Sequence, residues 1–297
     1  MPIIDAHSHV FPPAVRERRE TLLASEPAFA EIYGNPQAAM GTAGELLQEM
    51  DRAGVERSII CNFAWQDESL IEETNEYILG AAHASKGRLI PFVSVSLAGA
   101  GRHGGPDVEE SVGERKQDAR TKIRQLSIDG ARGIGELRPE HSGYNLGNSD
   151  EADLLNWAAS AFDLALLVHA SEPVGHHYAG KAGGPIDGIA AFAQSAQAVT
   201  VIAAHWGGGL PFYLLMPEVR AALGNVYFDT AASHLLYEPA IYRHVIEIAG
   251  ADRIVWGSDW PLTTQEQALG RVREAGLTEL QLEGVLGANV ARVLGLG

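Results

Sequence analysis

The chain has 297 residues, of which 46% are hydrophobic, a size and composition that suit one α/β domain with a large buried core. Its 22 basic and 38 acidic residues give a formal net charge of −16, which argues against nucleic acid as a partner because phosphate backbones are repelled. The single cysteine cannot form an intrachain disulfide and no apolar stretch reaches the ~18 residues of a membrane helix, so we expect a cytoplasmic protein without a membrane partner.

Short apolar segments recur along the chain, each about five to eight residues long and most of them rich in Val, Ile and Leu. Such segments are typical of strands that are buried on both faces of a parallel sheet. The predicted strands are Ile3–Val10, Arg57–Phe63, Leu89–Ser96, Ala131–Leu137, Ala165–Ala170, Val199–His205, Asn225–Thr230 and Arg253–Ser258.

Between these segments, apolar residues recur at helical spacing, and two capping-box patterns predict further helix starts near the C-terminus. Strands that alternate with helices in this way predict a single (β/α)8 TIM barrel over residues 1–297. An open doubly wound sheet is the alternative, but it would need fewer strands and a Gly-rich phosphate turn after the first strand, where this sequence has none. The predicted helices are Gly44–Ala53, Leu70–Ala84, Gln117–Leu126, Glu151–Leu164, Asp187–Ala198, Tyr213–Leu223 and Pro239–Ala249, with capping boxes at Thr263-x-x-Glu266 and Thr278-x-x-Gln281.

Four connections are longer than a tight strand-to-helix loop, and all of them follow predicted strands. They would therefore project from the C-terminal face of the barrel, where such barrels place their chemistry, and we expect them to act as lids. These connections are Phe11–Met40, Leu97–Lys116, Pro139–Ser149 and Ser171–Ile186.

Polar residues of the types that bind metals or transfer protons stand at the ends of the predicted strands. His7 and His9 end the first strand, and their spacing puts both on one face, where they can bind one metal ion if that face is the barrel interior. Two core histidines are the alternative, which is unfavourable because buried neutral imidazoles need hydrogen-bond partners. The other strand ends carry Glu136, His169, His205, Asp229 and Asp259.

The later strand ends extend this pattern. His169 follows an apolar strand and Asp259 ends a buried one, so both are interpreted as metal ligands, with Asp259 also serving as a general base. His205 precedes three glycines and is a candidate ligand or catalytic acid–base group, although the glycines alone are equally typical of a flexible turn. Glu136 is a candidate ligand, or else it is ion-paired with Arg138 or another base.

Other polar residues have competing interpretations. Asp5 could orient a histidine or serve a turn, and Asp229 could be a site residue or, slightly favoured, the cap of the following helix. His176 and His177 lie in a candidate lid, where exposed histidines without a function are also common. The thiol of Cys61 is interpreted as buried and inert.

At these residues the chain resembles the amidohydrolase superfamily, and in particular the amidohydrolase-2 branch of metal-dependent TIM-barrel enzymes. That branch includes decarboxylases of the aminocarboxymuconate-semialdehyde and resorcylate type. The resemblance extends from the first strand to the C-terminus. The matching segments are Ile4-Asp5-Ala6-His7-Ser8-His9, Val168-His169-Ala170, Ala204-His205-Trp206-Gly207-Gly208, Trp256-Gly257-Ser258-Asp259-Trp260-Pro261 and the last helix from Gly287 to Leu296.

This resemblance implies a metal site and a catalytic histidine. The decarboxylases of the branch carry no acid at the end of strand 4, whereas Glu136 is similar to the strand-4 glutamate ligand of TatD-type deoxyribonucleases and related hydrolases. That departure favours hydrolysis, and it leaves open whether the site binds one metal ion or two. The residues that the resemblance implies are the ligands His7, His9, His169 and Asp259 and the catalytic or substrate-polarising His205.

These residues are compatible with three different functions. In hydrolysis of an ester, lactone or amide, which we expect, Asp259 takes a proton from a metal-activated water and His205 stabilises the oxyanion. In nonoxidative decarboxylation, the alternative, the metal binds a carboxylate, and Asp259 or His205 protonates the carbanion. A non-catalytic barrel that binds a metal or ligand is the third. The residues expected to contact the substrate are His177, Trp206, Trp260 and Arg138.

The expected cofactor is a divalent metal, as one or two ions. Zn²⁺ is the first choice and Mn²⁺ or Fe²⁺ are alternatives, because three imidazoles with carboxylates suit all of them. The expected partner is a small-molecule substrate, and carboxylates are among the candidates. The sequence leaves open whether the protein forms a homo-oligomer.

Overall fold

Parallel strands form one sheet in which each strand pairs with the next in chain order, and this confirms the predicted (β/α)8 barrel. The computed structural model describes residues 2–97, 106–147, 149–181 and 186–296, without the side chains of residues 106–112. Each strand is shorter than the segment that predicted it. The strands are β1 Ile4–His9, β2 Arg57–Cys61, β3 Leu89–Val93, β4 Gly133–Leu137, β5 Ala165–Val168, β6 Val201–Ala203, β7 Val226–Asp229 and β8 Ile254–Val255.

Alternate residues of the strands belong to two different hydrophobic clusters. In β5, Ala165 and Leu167 pack with residues of the other strands in the barrel interior, and Leu166 and Val168 pack in the cluster that includes the surrounding helices. All four side chains are buried. This explains why the strands have continuous apolar sequences, since both faces are covered.

Helices lie between the strands, and the predicted ones are found with shifted ends, except that the predicted helix Tyr213–Leu223 is divided into the 3₁₀-helix Leu210–Leu215 and the α-helix Pro217–Ala222. None of the described helices is both long and apolar enough to cross a membrane. The α-helices are Pro13–Glu17, Arg19–Ser25, Pro27–Tyr33, Ala43–Ala53, Glu68–Ala84, Pro106–Ile128, Pro139–Ser142, Asp150–Phe162, Ile186–Ser195, Pro217–Ala222, Ser233–Leu236, Ile241–Ala249, Gln265–Glu274, Glu279–Glu283 and Asn289–Val293. The remaining helical segments are the turn Ala204–Gly207, the 3₁₀-helices Leu210–Leu215 and Ala251–Arg253, and the π-helical turn Gly284–Ala288.

The connections predicted as long loops contain more helix than expected. Residues 11–40 form three short helices, and the helix after β3 begins at Pro106, so only residues 98–105 of that connection lie outside the described part. Of the connection after β5, residues 182–185 also lie outside it, as does residue 148 of the connection after β4. Short helices were missed because none is long enough to show a helical period.

One of the two predicted capping boxes is confirmed and the other is wrong. The Thr278 hydroxyl oxygen accepts a hydrogen bond from Gln281 N, and the side-chain oxygen of Gln281 accepts one from Thr278 N. The cap of helix Gln265–Glu274 is Thr264, which accepts from Gln267 N, and not Thr263. Two adjacent threonines allow either register, and the chain uses the second one.

The barrel closes through hydrogen bonds between β1 and the chain that follows β8. Ala6 N donates to Trp256 O at 2.8 Å, and His9 N donates to Trp260 O at 2.6 Å. These bonds give the last strand a partner and remove the two free edges that an open sheet would have. We refer to this junction as the closing seam.

Asp5 is the polar centre of the closing seam. Its buried carboxylate accepts hydrogen bonds from Ser258 N and Oγ at 2.9 and 2.5 Å, from Gln265 Nε2 at 2.8 Å and from Ser8 Oγ at 3.1 Å. It also accepts from the backbone N of His7 at 3.1 Å. Asp5 therefore contacts the backbone of His7 and not its imidazole, so the suggested role of orienting the histidine ring is wrong.

The first prediction concerns this carboxylate. Replacing Asp5 with Ala leaves several buried donors without an acceptor, at roughly 1–3 kcal/mol each, so we expect the free energy of unfolding to fall by about 3 kcal/mol or more. Urea denaturation followed by circular dichroism measures the change. Asp153→Ala, at an exposed helical position, is the control, and an equal loss in both variants would contradict the role of Asp5.

Candidate metal centre

Two bulges bring polar side chains into the top of the barrel. Between Asp5 and Ser8, β1 advances by three residues while β2 advances by two, and β4 has the same irregularity between Ile134 and Leu137. An extra residue in one strand lets consecutive side chains escape strict alternation. Glu136 therefore reaches the site while Ile134 and Leu137 stay in the helix-facing cluster.

His7 occupies the centre of the site. Its Nδ1 lies 2.8 Å from Asp229 Oδ2, and both side chains are fully buried. Its Nε2 lies 3.0 Å from His9 Nε2 and 3.7 Å from Asp259 Oδ1. Because Asp229 fixes the ring through Nδ1, Nε2 is the nitrogen that faces the other candidate ligands.

Glu136 faces four histidines. Its Oε1 lies 2.9 Å from His169 Nδ1, 3.4 Å from His205 Nε2 and 3.8 Å from His7 Nε2, and its Oε2 lies 3.8 Å from His9 Nε2. The sequence therefore placed Glu136 correctly beside the imidazoles. Its suggested partner Arg138 is not among the ion pairs of this carboxylate in the described residues.

The donor set fits a divalent cation. Ligand atoms of three side chains lie within 4.8 Å of one another in two overlapping groups, and Asp259 Oδ1 is 3.5 Å from His9 Nε2. Imidazole nitrogens with one or two carboxylates are ligands that Zn²⁺, Mn²⁺ and Fe²⁺ accept. The two groups are His7, Glu136 and His205, and His7, His9 and Cys61.

His169 and Cys61 lie at the edge of this set. In this structure His169 contacts Glu136 through Nδ1 and Ser171 Oγ through Nε2, at 2.9 Å each, so both ring nitrogens face protein groups. Cys61 Sγ lies 3.5 Å from Nδ1 of His9, the nitrogen on the far side from the cluster. The thiol is buried as predicted, and it supports the ring of His9.

Asp229 connects two histidines of the site. Besides its contact with His7, its Oδ1 accepts hydrogen bonds from the backbone N of His205 at 2.8 Å and of Ala231 at 3.0 Å. The helix that follows begins at Ser233 without a side-chain cap, so the interpretation of Asp229 as a helix cap is wrong. Its position at a strand end was the correct signal for a site residue.

The chain after β6 turns through the left-handed region of backbone conformation. His205 and Trp206 have φ of 55° and 57°, and the three glycines that follow also have positive φ. Residues with a β-carbon rarely adopt this conformation, and strained backbone of this kind concentrates at functional sites. Glycine is required at position 208, where a Cβ would lie 2.6 Å from the carbonyl oxygen of Ser171.

An apolar-walled cavity of about 400 Å³, which we call the metal-centre cavity, opens above these side chains. Arg138, for which substrate binding was predicted, and His176 both line it. His177 is exposed and is not among the described residues that line it, although its neighbour is. Residues from the N-terminal helices, Tyr33 among them, also form its wall and were not predicted.

The two tryptophans expected at the substrate lie behind the cavity wall. Trp206 is fully buried, and its Nε1 donates to Ser233 Oγ at 2.7 Å. Trp260 packs on Gly41, where a Cβ would lie 2.0 Å from the indole ring. Neither is among the described residues that line the metal-centre cavity, because the turns after β6 and β8 direct both rings into the core.

The proximity of opposite charges controls protonation in the site. Burial lowers the pKa of His7, but the carboxylates of Asp229, Asp259 and Glu136 together outweigh burial and raise it to about 10. Burial raises the pKa of Asp259, but the neighbouring histidines, with His9 first, hold it well below its usual range. In the metal-free site the carboxylates therefore favour protons on the neighbouring imidazoles, except at His169, where burial and Arg138 lower the pKa.

The second prediction concerns metal content. We expect wild-type protein purified without added metal to contain about one divalent ion per chain or more by elemental analysis. His9→Ala should reduce this to about a tenth or less, and Glu136→Ala should reduce it as well, because each removes a ligand atom. His244→Ala, which alters a histidine 60% exposed on a helix, is the control. Full metal content in His9→Ala would contradict the assignment.

The third prediction concerns proton release. A metal needs a neutral imidazole, and His7 holds a proton below its pKa of about 10, so metal binding at pH 8 should release about one proton or more. Affinity should rise as the pH approaches 10. Calorimetric titration with Zn²⁺ in buffers of different ionisation enthalpy measures the release. Asp229→Asn lowers the pKa of His7 and should reduce the release; an unchanged value would refute this coupling.

Comparison with known proteins supports the fold. A family model described as amidohydrolase matches residues 4–296. A search of curated protein sequences finds no match. Among solved structures, 5-carboxyvanillate decarboxylase from Sphingomonas paucimobilis is 16% identical with a TM-score of 0.74, and the match covers 100% of this chain and 99% of that one.

Two further structures are similar over nearly their whole length. A 5-carboxyvanillate decarboxylase from Novosphingobium aromaticivorans, in complex with manganese and 4-hydroxy-3-methoxy-5-nitrobenzoic acid, is 14% identical with a TM-score of 0.75, covering 99% and 96% of the two chains. A protein assigned as a 2-pyrone-4,6-dicarboxylic acid hydrolase from Pseudomonas putida is 17% identical with a TM-score of 0.63, covering 99% and 97%. Such identities carry the fold alone, but the family model spans nearly the whole sequence, and the chain belongs to the amidohydrolase family.

Proposed function

We propose that this protein is a metal-dependent carboxy-lyase that removes CO2 from a small, ring-containing carboxylic acid without oxidation. The observation that carries the proposal is the position of Arg138, a buried guanidinium that lines the same cavity as the candidate metal centre. A buried cation beside a metal site is suited to an anionic substrate. Arg138 suits either reaction, and the preference for decarboxylation over the hydrolysis that Glu136 suggested is supported by the decarboxylases among the solved structures of similar fold.

The walls of the metal-centre cavity suit a flat apolar ring. Most of its lining away from the metal centre consists of hydrophobic side chains, and a cavity with apolar walls and a few fixed polar groups is typical of small-molecule sites. The solved structures with a similar fold that bind benzoic acids support this class of substrate. The apolar lining residues are Ile32, Tyr33, Phe63, Leu235, Leu236, Pro261 and Leu262.

The side chains of the site have different proposed roles, and the first of these is metal binding. His7, His9, Glu136, His169 and Asp259 are the proposed ligands, and a bound Zn²⁺ or Mn²⁺ would act as a Lewis acid towards the substrate carboxylate. The manganese in one similar structure supports Mn²⁺ as a candidate beside Zn²⁺.

His205 is the proposed proton donor. When the bond between the ring carbon and the carboxylate breaks, CO2 leaves and the electron pair stays on that carbon, which then needs one proton. Burial lowers the pKa of His205, but Glu136 and Asp259 outweigh burial and raise it, which favours a proton on this imidazole. The guanidinium of Arg138 would keep the anionic substrate in position.

Hydrolysis is the second candidate, and Glu136 favours it. Glu136 belongs to one of the two groups of potential metal ligands, and the similar structure assigned as a pyrone dicarboxylate hydrolase has the same fold. In that reaction Asp259 would accept the proton of the attacking water. A lactone or ester that carries a carboxylate would use Arg138 equally well.

The fourth prediction separates these reactions. The Mn²⁺- or Zn²⁺-loaded protein is incubated with hydroxylated benzoic acids, and CO2 release is measured by mass spectrometry. We expect turnover, and we expect Asp259→Asn and His205→Asn to lower kcat about 100-fold or more. Incorporation of ¹⁸O from water into a new carboxylate without CO2 release, with lactones or esters as substrates, would favour hydrolysis instead.

Arg138 provides the matched test of substrate binding. Arg138→Met keeps the aliphatic stem and removes the charge, so KM for a carboxylate should rise about tenfold or more. Arg243→Met, on the outer helix Ile241–Ala249, is the control and should keep the wild-type KM. An unchanged KM in Arg138→Met would contradict the role of the guanidinium.

A further inference from the structure

The backbone of Arg138 is fixed, but its side chain is long. Arg138 directly follows β4, and its carbonyl oxygen accepts hydrogen bonds from His141 N and Ser142 N, both at 3.1 Å, in the helix that comes next. The guanidinium is joined to this backbone through several rotatable bonds, so its position depends on the groups that it contacts. One of these contacts is with the loop after β5, where Arg138 Nη2 donates to the carbonyl oxygen of Gly180 at 2.5 Å.

Gly180 is itself held in place by Glu31, from the helix Pro27–Tyr33. Glu31 Oε1 accepts a hydrogen bond from the backbone N of Gly180 at 3.0 Å, so the two polar backbone groups of one residue connect Glu31 with Arg138. Gly180 is buried, and a buried N–H without an acceptor is unfavourable. Loss of the Glu31 carboxylate should therefore displace Gly180 and release the guanidinium.

The space around Gly180 is closely filled. A Cβ at this position would lie 3.0 Å from Ile32 Cδ1 and 3.5 Å from Arg138 Nη2, and the φ of 82° is one that residues with a Cβ rarely adopt. Gly180, Ile32 and Arg138 all line the metal-centre cavity. A displacement of Gly180 would therefore change the cavity wall at the side chain proposed to bind the substrate.

The second carboxylate oxygen of Glu31 faces the helix that follows Arg138. Glu31 Oε2 lies 3.4 Å from His141 Nε2, and the carbonyl oxygen of His141 accepts from Gln66 Nε2 at 2.9 Å. Burial raises the pKa of Glu31, but hydrogen bonds with Gly180 and His141 outweigh burial and lower it, so the carboxylate is ionised and can accept at both oxygens. Glu31 thus contacts the chain on both sides of Arg138.

We propose that Glu31, acting through Gly180, is a positioning residue that fixes the guanidinium of Arg138 for the substrate anion. This inference rests on the proposed function, because it takes Arg138 as the residue that binds the anion. A guanidinium that is already fixed loses little conformational freedom when a ligand arrives, so positioning strengthens binding. A purely electrostatic role of Glu31 predicts the opposite, since a carboxylate near Arg138 would weaken the binding of an anion.

Ligand binding to the Mn²⁺-loaded protein separates these two roles. The probe is salicylate, which is compared with its primary amide, and calorimetry gives both Kd values. In Glu31→Ala the preference for the acid should fall about fivefold or more, because the guanidinium is no longer fixed. Glu31→Gln keeps an oxygen that can accept from Gly180 N, so it should retain the wild-type preference.

NMR observes the side chain of Arg138 without any ligand. Its Nε–H signal is assigned by its absence from Arg138→Met, and in Glu31→Ala and Gly180→Ala this hydrogen should exchange with water about tenfold or more faster. Glu20→Ala, at an exposed position of the helix Arg19–Ser25, is the control for the lost carboxylate. Gly54→Ala is the control for backbone strain, because its φ is 72° and its Cβ would meet nothing within 4 Å. Both controls should retain the wild-type exchange rate.

Three outcomes would overturn the positioning role. They are an unchanged Arg138 signal in Glu31→Ala, an equal loss of acid preference in Glu31→Ala and Glu31→Gln, and tighter binding of salicylate in both variants, which is the electrostatic result. Failure of the wild-type protein to release CO2 from any hydroxylated benzoic acid, while the Arg138 signal and the acid preference respond as expected, would contradict the proposed function alone.

Discussion

Both the closed barrel and the geometry of the candidate site depend on the hydrogen bonds of the closing seam. A parallel sheet of this kind becomes a barrel only when its first and last strands pair, and here that pairing runs through Asp5 and the backbone around it. The same stretch contains His7, His9 and Asp259, and Asp259 N donates to the carbonyl oxygen of His7 at 2.9 Å. The hydrogen bonds that close the barrel therefore also set the spacing of three candidate ligands.

The site concentrates unfavourable features that the rest of the barrel compensates. Ionised carboxylates and imidazoles are buried together, two strands are bulged, and His205, Trp206 and Asp259 have left-handed backbone. Each of these is destabilising in isolation, and such features persist only where the surrounding structure determines them. The continuous apolar strands below supply that support, because both of their faces are covered.

The sequence predicted the barrel and most of the strand-end residues because both depend on short-range patterns. Apolar segments identified every strand, and polar residues at their ends located His7, His9, Glu136, His205 and Asp259 in one site. The partner of His7 could not be predicted, since Asp229 lies 222 residues away and only the closed barrel brings them together.

Other details depended on local geometry that sequence patterns do not encode. Asp5 was suggested to orient a histidine, but the bulge in β1 begins at Asp5, and its carboxylate accepts from backbone N–H groups of His7 and Ser258 rather than from an imidazole. The left-handed turn after β6 buries Trp206 instead of placing it at the cavity. Tyr33 was missed because its helix, Pro27–Tyr33, is too short to produce a recognisable period.

The N-terminal helices between β1 and β2 pack against one another and against Phe63 and Trp65, which follow β2. Phe29 stacks on Tyr33 with ring centroids 4.6 Å apart, and Arg19 donates to the carbonyl oxygens of Tyr33 and Ala38. None of the residues in these helices belongs to a barrel strand, yet Tyr33 forms part of the cavity wall. Sequence changes in these helices can therefore alter the cavity wall without replacing any candidate metal ligand. Substrate preference and chemistry can then evolve at separate rates in one protein.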